Sequence, residues 1–377
     1  MRRVYIFGAG ASACYDNGYS TERPPLQSNF WDLAFGSEAT ATMQVRRGSL
    51  YSYLDDAGLY DSDGRLSMTV EEVMTKVHED TLAAFSSAAG AGDVWRPGRR
   101  MPITPMYLAK VYQDLVLLCA QTVNNLSVGR PCRNYMAVVA NLNPEDTLIT
   151  FNWDTLLDRA LWESGTWQPD SGYAIDFGYI LDETWQRTPR DVPASKHELL
   201  KLHGSTNWLI PYVAFDFRDG TRKMLFLPET EAAPVCYFRC TTGLPSYQDL
   251  FTPSGPFNYG FPPNHPEFEA SGYLYPMIVP PSRVKYYDDL PDVLPRVWAR
   301  ARERISAANE VIVIGYSFPE TDEMSWDLMK ALARRKTVRV KVVGPHPDSV
   351  VNRLKMRLHR DVDAQPMGFT EFAATLS

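Results

Sequence analysis

Hydrophobic and polar positions alternate most regularly towards the end of the chain, where short apolar runs are separated by amphipathic stretches. These patterns predict strands at 277–279, 310–314 and 338–343, and helices at 290–308, 321–334 and 347–358. Strands that alternate with helices are typical of βαβ units, whose strands form a parallel sheet. The pattern therefore predicts an α/β fold, a Rossmann-like parallel sheet with helices on both faces.

The chain opens on another apolar run, Val4 to Phe7, which leads into the glycine-rich segment Gly8 to Ser12. Such a run is typical of a buried strand that ends in a tight turn. Two further runs predict strands at 147–151 and 198–202. We therefore predict that the Rossmann-like core is formed by 1–35 and 146–377.

The two parts of this core are separated by a region with helical periodicity. Apolar residues recur at helical spacing over 28–35, 70–85, 105–123 and 134–142. The region predicts a mainly helical subdomain inserted at 36–145.

A second insertion is predicted from composition. Residues 251–276 are rich in proline, glycine and aromatic residues, which favours a long ordered loop. We place this loop in a loop-rich insertion at 206–276.

Net charge and the length of apolar runs argue against two functional classes, nucleic-acid binders and membrane proteins. Acidic residues outnumber basic ones by 45 to 38, so the net charge is −7 and the chain lacks the basic field of a dedicated nucleic-acid binder. No run approaches the ~18 apolar residues of a membrane span. We therefore expect neither direct nucleic-acid binding nor a membrane partner.

The cysteines indicate a cellular compartment. The chain has five, an odd number at irregular spacing, which does not form a disulfide framework of the secreted type. A reducing, cytoplasmic location is the expectation.

Glycines and polar residues follow the predicted strands. Ligands of parallel α/β sheets bind outside the carboxyl ends of the strands, so these residues are expected to converge on one crevice. They are Gly8, Ala9, Gly10, Ala11, Ser12, Asn152, Asp154, His203, Gly315, Ser317 and Gly344. Glycines let the backbone approach a phosphate closely, although the same glycines also serve a tight strand–helix turn.

Four of these segments resemble, in order and rough spacing, the cofactor motifs of the sirtuin family. They are Gly8 to Ser12, Phe151 to Asp154, Leu202 to Ser205 and Ile314 to Ser317. The chain resembles in particular the bacterial sirtuin-like NAD hydrolases of antiphage defence, in which Pro280 to Ser282 and Ile314 to Asp322 also have counterparts. The resemblance covers the Rossmann-like core and not the helical insertion.

The resemblance implies a role for each segment. Gly8 to Ser12 would hold the pyrophosphate of NAD+, with Ser12 bonding a phosphate oxygen. Asn152 and Asp154 would border the nicotinamide ribose, and His203 would be the catalytic histidine. Gly315 and Ser317 would line the phosphate and adenosine-ribose side, and the turn at Gly344 would lie near the adenine.

The residue types suit cleavage of NAD+ independently of the family. Nicotinamide leaves as a neutral base, so no acid is needed to protonate it. An imidazole that titrates near neutral pH can take a proton from water or a ribose hydroxyl, and the Asn152 amide can orient either. We therefore assign Asn152, His203 and Asp154 to catalysis and NAD+ to the substrate.

Two departures separate the chain from protein-deacylating sirtuins. Those enzymes usually carry a zinc module of two Cys-x-x-Cys pairs, whereas Cys236, Cys240 and His265 supply three ligands and a tetrahedral site needs four. Deacylases also bind an acyl-lysine peptide as an added strand, and Pro280 and Pro281 lack two of the required donors. We expect no metal, and water as the acceptor.

The sequence leaves several alternatives. The first hypothesis is an NAD glycohydrolase that produces nicotinamide and ADP-ribose and acts as the toxic effector of an abortive-infection system. Uncontrolled NAD+ loss would kill the host, which implies a homo-oligomer or a regulatory partner such as the HerA-type ATPase known in the family. Protein ADP-ribosyl transfer and non-catalytic sensing of NAD+ or ADP-ribose are the alternatives.

Overall fold

The computed structural model describes most of the chain. The described residues are 1–18, 21–35, 50–62, 65–90, 103–127, 129–181, 194–212, 234–237, 273–283, 285, 290, 292–332, 335 and 337–376. The predicted loop at 251–276 lies outside these residues up to position 272, as do Cys240 and His265.

The strands are β1 (Arg3–Phe7), β2 (Thr147–Thr150), β3 (Tyr179–Leu181), β4 (Glu198–Lys201), β5 (Gly204–Tyr212), β6 (Val235–Tyr237), β7 (Tyr273–Ile278), β8 (Glu310–Ile314), β9 (Arg339–Gly344) and β10 (Asp363–Pro366).

The helices are α1 (Ala9–Ser12), α2 (Phe30–Ala34), α3 (Val70–Gly90), α4 (Ile103–Ser127), α5 (Arg133–Ala140), α6 (Leu156–Glu163), α7 (Pro169–Gly172), α8 (Leu294–Ala307), α9 (Glu323–Lys330), α10 (Asp348–Leu358) and α11 (Phe369–Ala374). A short 3₁₀ helix spans Gln27–Asn29, and residues 50–56 are also helical.

Six strands form one parallel sheet in the order β10-β9-β8-β1-β2-β4. The chain begins at β1 in the middle, builds outward to β4, and then returns to the other side of β1 for β8, β9 and β10. This is the strand order of a Rossmann sheet, in which right-handed crossovers place the helices of the two halves on opposite faces. The predicted fold class is confirmed.

The centre of this sheet is apolar because it is covered on both sides. All five residues of β8 are buried, and Tyr5, Ile6 and Phe7 of β1 have no exposed surface. A parallel strand buried on both faces has a continuous apolar run rather than an alternating one. This is why the sequence located β1 and β8 closely.

A second, four-stranded sheet has the order β3-β6-β5-β7. Strand β5 pairs antiparallel with β7, and their register shifts between Gly204 and Leu209. The strand predicted at 277–279 coincides with the end of β7, so it belongs to this sheet and not to the parallel one. The sequence pattern did not predict the other strands and placed 206–276 in a loop-rich insertion. Trp208, Leu209 and Ile210 are all fully buried, so β5 lacks the alternation by which a half-exposed strand is found.

The helical periodicity between the first two strands corresponds to real helices. Helices α3 and α4 pack against each other, and α4 also contacts β7. Helix α5 lies inside the range predicted as an insertion, but it packs on α6 and α11 beside the parallel sheet. None of the described helices combines the length and the apolar character needed to cross a membrane.

Candidate active site

A cavity of about 240 Å³ lies at the carboxyl edge of the parallel sheet, where the strand order reverses between β1 and β8. Its wall includes residues that directly follow four strands: Ala9, Ser12, Phe151, Asn152, Trp153, Asp154, His203, Tyr316 and Ser317. The rest of its wall comes from outside the sheet and includes Pro24, Pro25, Leu26, Phe30, Val70, Glu71, Pro281, Lys285 and Asp322. A largely apolar cavity with a few convergent polar groups is the usual form of a small-molecule site.

Ser12 and Asn152 connect the ends of β1 and β2. The Asn152 amide Nδ2 donates to the Gly8 carbonyl oxygen at 2.9 Å and to Ser12 Oγ at 2.9 Å. Ser12 Oγ donates to Asp154 Oδ2 at 2.7 Å, and the Tyr135 hydroxyl lies 3.0 Å from the same Oγ. Both Asn152 amide hydrogens are thus committed, which leaves its Oδ1 as the atom able to accept a hydrogen bond in the cavity.

The backbone carbonyl of Asp154 is held by Lys201, which also forms a buried ion pair with Asp158. The Lys201 ammonium donates to the Asp154 carbonyl oxygen at 2.5 Å and to Asp158 Oδ2 at 3.0 Å, and Tyr173 donates to Asp158 Oδ1. The side chains of Lys201 and Asp158 have no exposed surface. Burial raises the pKa of Asp154, and the Lys201 charge and the Ser12 hydrogen bond partly oppose that rise.

His203 follows β4 and is only 9% exposed. Its ring meets Phe151 edge-on, with 5.0 Å between centroids, and lies 6.3 Å from the Trp298 ring. Burial lowers the pKa of His203, and the carboxylate of Asp322 only partly offsets this effect. The imidazole is therefore neutral at neutral pH and able to accept a proton.

Asp322 brings a carboxylate to the same imidazole. Its Oδ2 lies 3.3 Å from His203 Nε2 and accepts a hydrogen bond from the Tyr316 hydroxyl at 2.6 Å. Burial by itself raises the pKa of Asp322, but the nearby His203, Tyr316 and Lys285 outweigh it and lower the pKa to about 2. Asp322 is therefore ionised throughout the range in which His203 titrates.

The glycines of the turn after β1 pack against the glycine of the turn after β8. A Cβ on Gly8 would lie 2.6 Å from Tyr316 Cα, and one on Gly10 would lie 2.9 Å from the Gly315 carbonyl oxygen. Gly315 has a φ of +63°, and a Cβ there would lie 2.2 Å from the Ala11 backbone nitrogen. These glycines let the turns after β1 and β8 approach closely at the rim of the cavity.

Replacing Gly315 with alanine is expected to destabilise the protein by about 2–4 kcal/mol, since it combines a left-handed backbone with a backbone clash. Chemical denaturation of the variant measures the loss. The matched control is Gly344→Ala after the neighbouring strand β9, where an added Cβ meets nothing within 4 Å. Equal stability of the two variants would contradict the close approach of the two turns.

The structure brings most of the predicted site residues to one place. Asn152, Asp154, His203, Ala9, Ser12 and Ser317 line the cavity. Gly8, Gly10, Ala11 and Gly315 lie directly behind this lining in the two packed turns, and Gly344 ends β9 beside them. Among the described residues that line the cavity, none comes from the end of β9.

Sequence reasoning gave no role to several residues of the wall. Tyr316 and Asp322 belong to the segment Ile314 to Asp322, but the resemblance implies no role for either side chain. Lys285 and Glu71 come from segments with no motif, so no local signal could place them. They reach the cavity because α3 and the chain after β7 lie across the carboxyl edge of the sheet.

The described cysteines carry no bridge or metal cluster. Cys14, Cys119, Cys132 and Cys236 are free thiols, and burial raises the pKa of Cys236 well above its ordinary value. In the part of the chain that the structure describes, no cluster of three histidine, cysteine or carboxylate side chains could hold a metal ion.

The chain is similar to solved Sir2 structures. A Sir2 homologue in complex with NAD aligns at 14% identity and a TM-score of 0.41, over 100% of this chain and 87% of that one. A variant of a Sir2 homologue bound to ADP-ribose aligns at 14% identity and 0.39, over 100% and 90%. Sir2 with an inhibitor, 2′-O-acetyl-ADP-ribose and a deacetylated peptide aligns at 11% and 0.36, over 99% and 91%.

No protein-family model matches the chain, and no curated protein does. Because the TM-scores are low, the assignment to a Rossmann-like fold rests on the strand order and register of this chain.

Proposed function

We propose that the protein is a sirtuin-like NAD glycohydrolase that cleaves NAD+ to nicotinamide and ADP-ribose with water as the acceptor. The observation that carries the proposal is the convergence of Ser12, Asn152, Asp154 and His203 on one cavity. These residues follow three different strands and match, in order, three of the motifs that resemble sirtuins. Their donor and acceptor set suits a dinucleotide ribose, since it combines hydroxyl, amide, carboxylate and imidazole groups.

The reaction needs few groups because nicotinamide leaves as a neutral molecule. The bond between ribose C1′ and the pyridinium nitrogen breaks, and its electron pair stays on the nitrogen. Water forms the new C1′–O bond and loses one proton. The ribose carries positive charge in the transition state, which buried polar groups stabilise when they are already oriented.

His203 is the group that takes the proton. Its imidazole is neutral at neutral pH because burial lowers its pKa. Asn152 Oδ1 is suited to accept a hydrogen bond from the attacking water or from a ribose hydroxyl, since both amide hydrogens are held by Gly8 and Ser12. The carboxylate of Asp154 holds Ser12 and thereby keeps the Asn152 amide in place.

The segment after β7 favours water over a peptide as the acceptor. An added peptide strand would need backbone N–H donors on this edge. The Val279 N–H donates to the His203 carbonyl oxygen at 2.8 Å and the Ser282 N–H donates to the Pro280 carbonyl oxygen at 2.8 Å. Pro280 and Pro281 have no N–H, so no donor from 279 to 282 is left for an incoming strand.

The proposal is tested by incubating the purified protein with NAD+ and measuring nicotinamide and free ADP-ribose by chromatography. We expect equal amounts of both products, and a decrease of about 10²-fold in Asn152→Ala, because that variant loses an oriented polar contact at the reacting ribose. The control is Asn309→Ala, since Asn309 lies just before β8 at the opposite edge of the sheet.

Two results would replace the proposal with an alternative. Nicotinamide without free ADP-ribose, together with ADP-ribose attached to protein, would identify a transferase. Binding of NAD+ without release of nicotinamide under every condition tested, including infected-cell extract, would identify a sensor.

We extend the proposal to the role of toxic effector in antiphage defence, on the resemblance to bacterial sirtuin-like NAD hydrolases. The same resemblance supports a cytoplasmic homo-oligomer whose activity is released by a signal or by a partner such as a HerA-type ATPase. Cellular NAD+ in infected cells that express the wild type or Asn152→Ala tests this role. A fall in NAD+ only with the wild type would support it, and equal NAD+ would refute it.

A further inference from the structure

Asp322 has an environment that a helix cap alone does not require. It precedes α9, and its Oδ1 accepts a hydrogen bond from the Ser325 N–H at 3.2 Å, as an N-cap does. Its Oδ2 points to the cavity, 3.3 Å from His203 Nε2, and accepts from the Tyr316 hydroxyl. The side chain is only 1% exposed, so the carboxylate is buried against the imidazole.

The backbone that carries Asp322 is held in an unfavourable conformation. Phe318 is a fully buried non-glycine residue with a φ of +48°. Such residues are uncommon and persist where the surrounding packing over-determines them, often at functional sites. Phe318 lies between β8 and α9, four residues before Asp322, in the segment that brings Asp322 to His203.

Aromatic packing restricts the imidazole on its other sides. The rings of Phe151 and Tyr316 are stacked, with 3.9 Å between centroids and 1° between planes. Phe151 meets the His203 ring edge-on, and the Tyr316 hydroxyl holds Asp322. The same stacked pair therefore contacts the imidazole and positions the carboxylate that faces it.

We propose that Asp322 is the positioning residue for His203: its carboxylate keeps the proton of the neutral imidazole on Nε2 and so directs Nδ1 to act as the base. The proposal rests on the proposed function, in which His203 accepts the proton of the attacking water. A negative charge next to one ring nitrogen favours the proton on that nitrogen, and the other nitrogen then carries the lone pair. Asp322 itself transfers no proton.

Two charged groups shift the pKa of His203 in opposite directions. The Asp322 carboxylate raises the pKa of His203, and the Lys285 ammonium lowers it. Burial exceeds both, so the pKa of His203 stays below its ordinary value. Burial lowers the pKa of Lys285, and the carboxylates of Glu71 and Asp322 partly oppose that effect. Removal of the Asp322 charge should therefore lower the pKa of His203 further.

The test is Asp322→Asn, which retains an N-cap acceptor for α9 and removes the charge. We expect the pKa of His203, followed by NMR and assigned by the resonance missing in His203→Gln, to fall. We also expect nicotinamide release at neutral pH to fall roughly tenfold to a hundredfold, because more of the imidazole then carries its proton on Nδ1, the nitrogen that acts as the base. The acidic limb of the pH–rate profile should move to lower pH along with the pKa of His203.

Two further variants separate positioning from folding. Asp322→Ser keeps the cap with a side chain too short to reach His203, so it should fold like the wild type and behave like Asp322→Asn in both assays. Asp327→Asn removes a carboxylate from the same helix, where Asp327 pairs with Lys330 in solvent, and should change neither the pKa of His203 nor activity.

An unchanged His203 pKa in folded Asp322→Asn would overturn the proposal, as would full activity of Asp322→Ser. The NMR titration needs no turnover, so it decides the effect of Asp322 on His203 even if the wild type releases no nicotinamide. In that case the proposed function fails, while a lowered pKa would still support the positioning of the imidazole by Asp322.

Discussion

Replacing His203 with glutamine is expected to lower nicotinamide release by about 10²- to 10⁴-fold, the usual contribution of a general base. Glutamine can hydrogen-bond in the cavity but cannot accept the proton of the attacking water. Because the change removes proton transfer rather than binding, the affinity for ADP-ribose, measured by calorimetry, should change much less than the rate.

The matched control is His197→Gln. His197 and His203 lie at opposite ends of β4, and burial lowers the pKa of both. Only His203 is at the carboxyl edge, where the cavity lies. Equal losses in the two variants would indicate that the effect comes from folding, and full activity in His203→Gln would show that another group takes the proton.

The wild-type rate should also depend on pH in a defined direction. The imidazole is active as the neutral base, so activity should fall in acid as His203 becomes protonated. Burial lowers the pKa of His203, so the midpoint should lie below the ordinary value for histidine. His203→Gln should lose this titration from its residual pH–rate profile.

Replacing Lys201 with methionine is expected to lower the free energy of unfolding by about 3–5 kcal/mol, the usual cost of breaking a buried ion pair. The variant leaves the Asp158 carboxylate buried without its Lys201 partner, and among the residues that the structure describes the Tyr173 hydroxyl is then the donor to it. Urea denaturation measures the loss. Nicotinamide release should fall as well, because Lys201 also holds the carbonyl of Asp154.

Two control variants show whether the loss of stability comes from burial of the Lys201–Asp158 pair. Lys330→Met breaks the Lys330–Asp327 pair, whose side chains are 68% and 53% exposed, so the loss should stay within about 1 kcal/mol. The double variant Lys201→Met, Asp158→Leu removes both buried charges and should recover part of the stability. If Lys201→Met alone is as stable as the wild type, the buried pair does not stabilise this fold.

The parallel sheet could be predicted because its signal is local. Strand β8 reads Glu-Val-Ile-Val-Ile and is buried throughout, and the helices after it have one apolar face. The second sheet could not be predicted in the same way. Its strand β5 is irregular where it pairs with β7, and its buried run Trp208 to Ile210 has no alternation to identify the exposed face.

The cavity residues that follow strands could be predicted from the sequence, and those that come from other segments could not. Asn152, Asp154 and His203 directly follow strands, and the topology of a parallel sheet brings such residues together. Asp322 and Lys285 do not follow strands. Their position depends on the path of the chain after β8 and after β7, which depends on packing such as that at Phe318 rather than on any periodicity.

The sequence by itself determined five of the six strands of the Rossmann-like sheet and the residues at their carboxyl ends, because burial and chain direction leave a pattern in neighbouring residues. The sixth strand, β10, is mostly exposed and leaves no such pattern. Only the tertiary structure decided the contacts between distant segments. These are the Gly8 and Gly315 turns in backbone contact, Lys201 paired with Asp158 under Asp154, and Asp322 against His203. Each depends on the register and separation of elements far apart in the chain, which no local pattern encodes.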